Sequence, residues 1–357
     1  MLRILIAGGG TGGHVIPGLA IAREMRDRYG AEVRFVGTAR GLEVRLVPEA
    51  GFGLELMEVG QLKNVSMAVR ARTLAELPIG VRRCMKLLRG LRPHVVVGVG
   101  GYASGPAMMA AVLMRVPTLA YEPNAAPGLA NRIVGRMVSA AAVNFEEARR
   151  FFRNAEVTGV PVRAEFFELR ERAVGAPPRL LVFGGSQGAR ALNVAMPEVI
   201  VELLRRVPEL TVLHQAGARH VEATRAGYAA SGADAGRWRV EAFLDDMPAR
   251  FGEASLILCR SGSSVAELAA AGKPSLLVPF PQAADDHQRK NAEAFARVGA
   301  AAMLREAEMT TERLLAELTR MLRDEGGLRE MSVRARTLAR PEALRRIGEM
   351  VRELARV

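Results

Sequence analysis

The chain has 357 residues, about twice the usual single-domain length, so two domains are expected. Hydrophobic residues make up 49% and charged residues 25%, enough apolar material for two cores, which excludes a disordered chain. Aromatics are only 5%, with Trp238 alone of its type, which argues against an RNA reader built on base stacking; a formal charge of +12 favours anionic partners such as nucleic acid, an anionic bilayer or phosphorylated substrates.

The chain opens on a short apolar run that meets glycine too early for a secretory signal. Three places repeat one design: a short apolar run, a glycine-rich turn, then a helical pattern. The first is Ile4–Ala7, then Gly8-Gly9-Gly10-Thr11-Gly12-Gly13-His14, with a helix expected from about Pro17. The second is Val95–Val97 followed by the turn from Gly98 to Gly105; the third is Leu180–Phe183 followed by Gly184-Gly185-Ser186-Gln187-Gly188-Ala189. Apolar runs without alternation predict strands buried on both faces, hence parallel sheets, and the intervening helices make the class α/β. The uncharged stretch Val95 to Met114 is about as long as a membrane span, but its glycines and Pro106 predict a buried strand, a glycine turn and a buried helix instead. A second Rossmann-like domain begins near the third unit, with a hinge between Gly159 and Pro178. After Pro341, the helical spacing of Leu344, Ile347, Met350, Val351 and Leu354 predicts a last helix over 342–356 that packs back on the first domain.

Glycine turns between strand and helix let backbone N–H groups approach an anion, and the helix N-terminus adds partial positive charge. One such turn also serves purely structural ends; three in a basic chain point to phosphorylated ligands. Gly8, Gly10 and Gly13 have dinucleotide spacing, yet the acidic residue such a site wants after the second strand is missing, Glu32 lying at the other end of Val33–Val36. His14-Val15 stands where a P-loop needs Lys and Ser or Thr, which disfavours ATP hydrolysis. His14, at the turn-to-helix junction, is the candidate general base, the alternative being a packing or capping histidine. Further on, Ser261-Gly262-Ser263-Ser264 opens a helix suited to a diphosphate. Glu267 follows, as a ribose ligand or as an ordinary helix-start carboxylate. The chain has no Asp-x-Asp pair, so no metal site of that kind is expected. Cys84 and Cys259 are expected to be reduced thiols.

These motifs, with Glu122-Pro123-Asn124-Ala125-Ala126-Pro127-Gly128, Phe243-Leu244-Asp245-Asp246-Met247 and Asp286-His287-Gln288-Arg289-Lys290-Asn291, resemble the MurG family of bacterial glycosyltransferases from the first strand to about Asn291. The resemblance implies a GT-B architecture, two Rossmann-like parallel-sheet domains facing across a cleft. It implies an acceptor domain over 1–162, joined by the last helix, and a UDP-sugar domain over 163–340. It also implies inverting transfer of N-acetylglucosamine from UDP-N-acetylglucosamine to an undecaprenyl-diphosphate-linked muramoyl-pentapeptide, with no cofactor and no metal, by a peripheral enzyme on the cytoplasmic face of the plasma membrane. Nucleic acid is not among the implied partners. Thr11, Gly12, Gly13 and Asn124 would line the donor sugar's site. Arg163, Ser186 and Ser263 would meet the diphosphate, Leu244 the uracil, Glu267 the ribose and Gln288 the sugar hydroxyls. Gly100, Gly101, Tyr102 and Ser104 in the second turn would hold the acceptor's diphosphate, unless that turn serves only close packing. The segment from Gly262 to Glu267 is one residue shorter than the family's usual length. Apolar positions at three-four spacing over 74–92, with Arg82, Arg83, Lys86 and Arg89 on another face, predict a helix opened by Pro78 that could meet an anionic membrane surface. Two rivals share some of these features: another GT-B enzyme using the same nucleotide sugar, such as a 2-epimerase, and a non-enzymatic basic protein that binds lipid or nucleic acid.

Overall fold

The computed structural model describes residues 1–39, 41–57, 67–101, 103–170, 172–173 and 175–356, with the backbone alone over 67–76. The chain separates into two compact units, Met1–Pro161 with Glu342–Val357, and Val162–Pro341.

The first unit alternates strand and helix: β1 (Arg3–Gly8), α1 (Gly12–Tyr29), β2 (Glu32–Thr38), α2 (Glu43–Glu49), β3 (Gly53–Met57), α3 (Met67–Leu91), β4 (Val95–Gly100), α4 (Ser104–Leu113), β5 (Thr118–Glu122), α5 (Leu129–Val134), β6 (Ala140–Val143) and β7 (Ala155–Val157). The strands pair in parallel in the order β3-β2-β1-β4-β5-β6-β7. Ile4–Ala7, Val95–Val97 and Leu119–Tyr121 are buried, as runs covered on both faces must be. The strand order reverses between β1 and β4, so the first two glycine turns emerge side by side at the switch point, where open α/β sheets bind ligands.

Two helix starts differ from the sequence reading. Helix α1 begins at Gly12 and contains Pro17; α3 runs through Pro78 rather than opening there. A proline inside a helix removes one hydrogen bond, to Gly13 in one case and to residue 74 in the other, at a cost of about 3 kcal/mol. Packing outweighs that loss: Ile21, Ala22 and Met25 of α1 are fully buried, and Cys84 and Leu88 seat α3 in the core with α4. The uncharged stretch Val95–Met114 is β4, the turn and α4, and no helix among the described residues is long and apolar enough to cross a membrane.

The second unit repeats the scheme: α6 (Ala164–Phe167), β8 (Arg179–Phe183), α7 (Arg190–Arg206), β9 (Thr211–Gln215), α8 (Val221–Ala230), β10 (Trp238–Glu241), α9 (Met247–Glu253), β11 (Leu256–Cys259), α10 (Ser264–Ala271), β12 (Ser275–Leu277), α11 (His287–Arg297), β13 (Ala302–Met303), α12 (Thr311–Arg323) and α13 (Glu325–Thr337). Its sheet order is β10-β9-β8-β11-β12-β13, again parallel, with the reversal between β8 and β11. The core gathers Leu180, Val182, Leu192, Met196, Val199 and Leu258. The third glycine turn and the serine-rich turn after β11 therefore emerge side by side at this unit's switch point.

The final helix, α14 (Ala343–Ala355), belongs to the first unit. Ile347, Met350 and Val351 are buried, and Gly348 lets the helix approach Glu24 and Tyr29 of α1 closely. Arg346 pairs with Glu156 of β7 through Nε at 2.7 Å and Nη2 at 2.8 Å, which holds the Glu156 carboxyl below its usual range.

Candidate functional site

In the first unit, Thr11 caps α1 with extended backbone, and its carbonyl accepts from the N–H groups of His14 and Val15, both at 3.1 Å. His14 thus stands in the first helical turn, with its ring turned back over the glycines. Its Nδ1 lies 3.2 Å from the Gly9 carbonyl oxygen and 3.4 Å from Thr11 Oγ1. A carbonyl only accepts, so Nδ1 carries the proton in that contact and Nε2 is left as the basic nitrogen. The ring sits directly over Gly100: a Cβ there would lie 2.7 Å from His14 Cδ2 and 2.9 Å from Nε2. Gly100 also has φ of +96°, which only glycine adopts readily. The Gly9 N–H donates to the Gly100 carbonyl at 3.2 Å. The first two turns are therefore one surface, with the His14 ring over Gly100 and Gly101 against the Gly9 backbone. Tyr102 lies outside the described residues. Ser104 opens α4 with its side chain buried against Gly98, and its hydroxyl has no hydrogen-bond partner among the described residues.

Asn124 stands on the loop after β5, and a buried carboxylate shapes that loop. Glu122 Oε1 accepts from the Asn124 N–H and from Asn124 Nδ2, both at 3.1 Å; Oε2 accepts from the Gly128 N–H at 3.1 Å and Asn131 Nδ2 at 3.0 Å. Burial raises the Glu122 carboxyl above its usual range, and these bonds oppose the rise. A second buried carboxylate, Glu43 of α2, lies under the first glycine turn. It accepts from the Gly10 N–H at 2.7 Å, the Thr38 N–H at 2.9 Å and Thr38 Oγ1 at 3.0 Å. A Cβ at Gly9, Gly37 or Gly41 would overlap the Glu43 side chain, so the three glycines are the space this carboxylate occupies.

In the second unit Ser186 and Ser263 are exposed on the turns that flank the switch point. Arg163 caps α6 in extended backbone, with its guanidinium 5.1 Å from the Phe166 ring centroid. Glu267 lies one turn into α10, where desolvation pushes its carboxyl up to about 7 against the opposing pull of the Arg163 charge, so these two are brought together. Gln288 Oε1 accepts from the Phe280 N–H at 3.0 Å, and its own carbonyl accepts from Ser261 Oγ at 2.8 Å. A cavity of about 670 Å³ opens beside the third turn, bounded by Gly184, Gly188, Arg190, Arg260, Gln288 and Glu306. Arg260 is nearly buried, paired with Glu306 at 2.5 Å and bonded to the Val278 and Pro279 carbonyls.

The resemblance implies a contact between Leu244 and the uracil, which its backbone could make. The Leu244 N–H is already taken, by Gln215 Oε1 at 3.0 Å, which leaves its carbonyl for that role. Gln215 also donates from Nε2 to the Gly185 carbonyl at 2.9 Å, and so ties the third turn to the Phe243–Leu244 segment. Behind it, His214 bonds Asn193 and Tyr228 in a buried network, and burial pushes it down to about 3, so it stays neutral. The sequence reading named neither Glu43 nor Gln215 for the site. The available signals were the glycines flanking Glu43 and the polar pair His214-Gln215 ending an apolar run.

Comparison with known proteins defines the class. The solved structure of MurG from Acinetobacter baumannii superposes with a TM-score of 0.86 at 31% identity over 99% of this chain and 100% of that one. With the two Rossmann-type units, this makes the protein a glycosyltransferase of the GT-B class. A putative UDP-N-acetylglucosamine 2-epimerase from Listeria monocytogenes matches at TM-score 0.69 but only 14% identity over 97% of this chain and 94% of that one, a likeness of fold alone.

The chain belongs to glycosyltransferase family 28: the family's N-terminal domain matches residues 4–143 and its C-terminal domain residues 179–347. It is 46% identical over 355 residues (99% of this chain, 96% of the relative) to the UDP-N-acetylglucosamine--N-acetylmuramyl-(pentapeptide) pyrophosphoryl-undecaprenol N-acetylglucosamine transferase of Solibacter usitatus. It is 42% identical over 360 residues (99% and 93%) to the Myxococcus xanthus protein of the same name.

Proposed function

We propose that this enzyme moves N-acetylglucosamine from UDP-N-acetylglucosamine to the C4 hydroxyl of the undecaprenyl-diphosphate-linked muramoyl-pentapeptide. The observation that carries the reading is full-length identity of 46% to a relative bearing that activity in its name, joined to a histidine set over two glycine turns. The first unit takes the acceptor and the second the nucleotide sugar.

The acceptor hydroxyl gives its proton to His14 Nε2, and its oxygen attacks the anomeric carbon from the face opposite UDP. The bond to the UDP oxygen breaks with its electron pair, and the configuration inverts. Negative charge grows on the leaving diphosphate. Arg163, the amides of the turns at Ser186 and Ser263, and the start of α10 are the groups that offset it. Glu267 holds the ribose hydroxyls, and Gln288 the hydroxyls of the transferred sugar. Thr11, Gly12, Gly13 and Asn124 border that sugar, and Gly100 and Gly101 offer backbone to the acceptor's diphosphate.

The acceptor is a lipid, so the enzyme works at an anionic surface as a peripheral protein. In α3, Arg82, Arg83, Lys86 and Arg89 are exposed while Cys84 and Leu88 face the core, which supports a basic face there.

The test is transfer of labelled sugar to the lipid-linked acceptor by the wild-type chain and by His14→Ala. The expected result is acceptor-dependent UDP release that falls by a factor of about 100 or more in the variant, the usual worth of a general base. Epimerised sugar formed without acceptor contradicts the proposal.

A further inference from the structure

One peptide unit under His14 is bonded at both ends. The Gly9 carbonyl receives His14 Nδ1 at 3.2 Å, and the N–H of the same peptide, that of Gly10, donates to Glu43 Oε2 at 2.7 Å. The chain of contacts is thus carboxylate, peptide N–H, peptide carbonyl, imidazole Nδ1–H, with the Nε2 edge of the ring over Gly100. The peptide is conjugated, so a negative charge against its N–H draws electron density toward its oxygen and strengthens that oxygen as an acceptor.

We propose that Glu43 is a positioning residue for His14 that acts through the Gly9–Gly10 peptide: it fixes the Nδ1–H tautomer and raises the basicity of Nε2. The proposal rests on the reading of His14 as the base. Three features of the site support it. Glu43 is fully buried, and both its oxygens accept hydrogen bonds. A buried carboxylate in a fold that could have used an apolar residue is costly, and here three glycines give up their side-chain space to it. The Leu42 N–H donates to the Gly10 carbonyl at 3.1 Å, so the start of α2 is locked to the same turn.

Among the elements packed on α1, β1 and β2 carry Arg3, Glu32 and Arg34 at their opening residues, at the other end of the sheet, and β4 carries none. Helix α14 sets Arg352 over Tyr29, at the last turn of α1. Helix α2 also carries Arg45 and Glu49, exposed and paired with each other; among these described groups Glu43 is the one bonded to the His14 turn.

The experiment is the pH dependence of kcat for the wild-type chain, Glu43→Gln, His14→Gln and the double variant, with the lipid-linked acceptor saturating. Glu43→Gln is expected to lower kcat about tenfold, the net worth of one charge-assisted bond, and to move the acid limb of the profile to lower pH as Nε2 becomes less basic. Its KM for UDP-N-acetylglucosamine and its affinity for UDP should stay at wild-type values. In the His14→Gln background the same substitution should change kcat less than about twofold, because the group it serves is gone. If His14→Gln is crippled while Glu43→Gln leaves the acid limb in place, or if the two losses multiply, the relay is wrong and the base reading stands. A His14→Gln variant near wild-type rate overturns both. Should Glu43→Gln not fold, the ¹⁵N spectrum of His14 in the wild-type chain decides: the relay requires the Nδ1–H tautomer of the neutral ring, and an Nε2–H tautomer overturns it.

Discussion

With the ribose role proposed for it, Glu267 would set the pH behaviour of the nucleotide site. Desolvation lifts its carboxyl to about 7, so the group changes charge near neutrality. A carboxylate accepts from two ribose hydroxyls better than the neutral acid does, by about 1 kcal/mol. The KM for UDP-N-acetylglucosamine is therefore expected to rise about fivefold as pH falls from 8 to 6, and Glu267→Gln should flatten that dependence. Stability runs the other way. The folded chain holds this proton more tightly than the unfolded chain, so the contribution is complete at low pH and declines as pH rises from the ordinary carboxyl range through about 7. Unliganded Glu267→Gln should thus melt higher than wild type at pH 8, by up to about 3 kcal/mol. His14, Glu267 and the glycine positions were legible in the sequence because their neighbours in the chain define them. Glu43 and Gln215 were not. Their partners are backbone groups of Gly10, Thr38, Gly185 and Leu244, which only the folded sheet brings to them.

At the scale of the element, strands and turns followed the sequence closely because short apolar runs ending in glycine leave little alternative. Helix starts did not. Pro17 and Pro78 read as natural openings, yet both lie inside helices whose buried faces repay the lost bond. The last helix was legible from its spacing, although the ion pair that fastens it was not, since Glu156 and Arg346 lie 190 residues apart. Arg346→Met is expected to cost about 0.5–1 kcal/mol at pH 7, a surface value because both partners are partly exposed. Arg346 depresses the Glu156 carboxyl, so this contribution is present above the ordinary carboxyl range and is lost as pH falls below it. Ile347→Ala removes a fully buried side chain from the same helix and should cost about 2–5 kcal/mol at any pH. Thermal melts at pH 7 and pH 3 separate the two effects.

For the whole molecule, two sheets of the same reversed order put a pair of turns at each switch point, and every glycine turn singled out in the sequence lies at one of them. Strand order itself is invisible in sequence, because no local pattern says which neighbour a strand will take. The excess positive charge belongs to the same description: an enzyme that handles a diphosphate lipid gains from basic residues near anionic headgroups. Reversal of Arg82, Lys86 and Arg89 to Glu should abolish binding to anionic vesicles at low salt, at about 1 kcal/mol per charge, while turnover of a water-soluble acceptor analogue is unchanged. Wild-type binding that is indifferent to salt would remove α3 from the membrane contact.

The most direct test of the account is incorporation of labelled N-acetylglucosamine into purified undecaprenyl-diphosphate-linked muramoyl-pentapeptide, with excess chelator present throughout. Arg163 and the oriented amides carry the leaving-group charge in this account, so it predicts one β-linked sugar per acceptor at a rate the chelator does not change. Loss of incorporation under chelation, restored by magnesium alone, would contradict it.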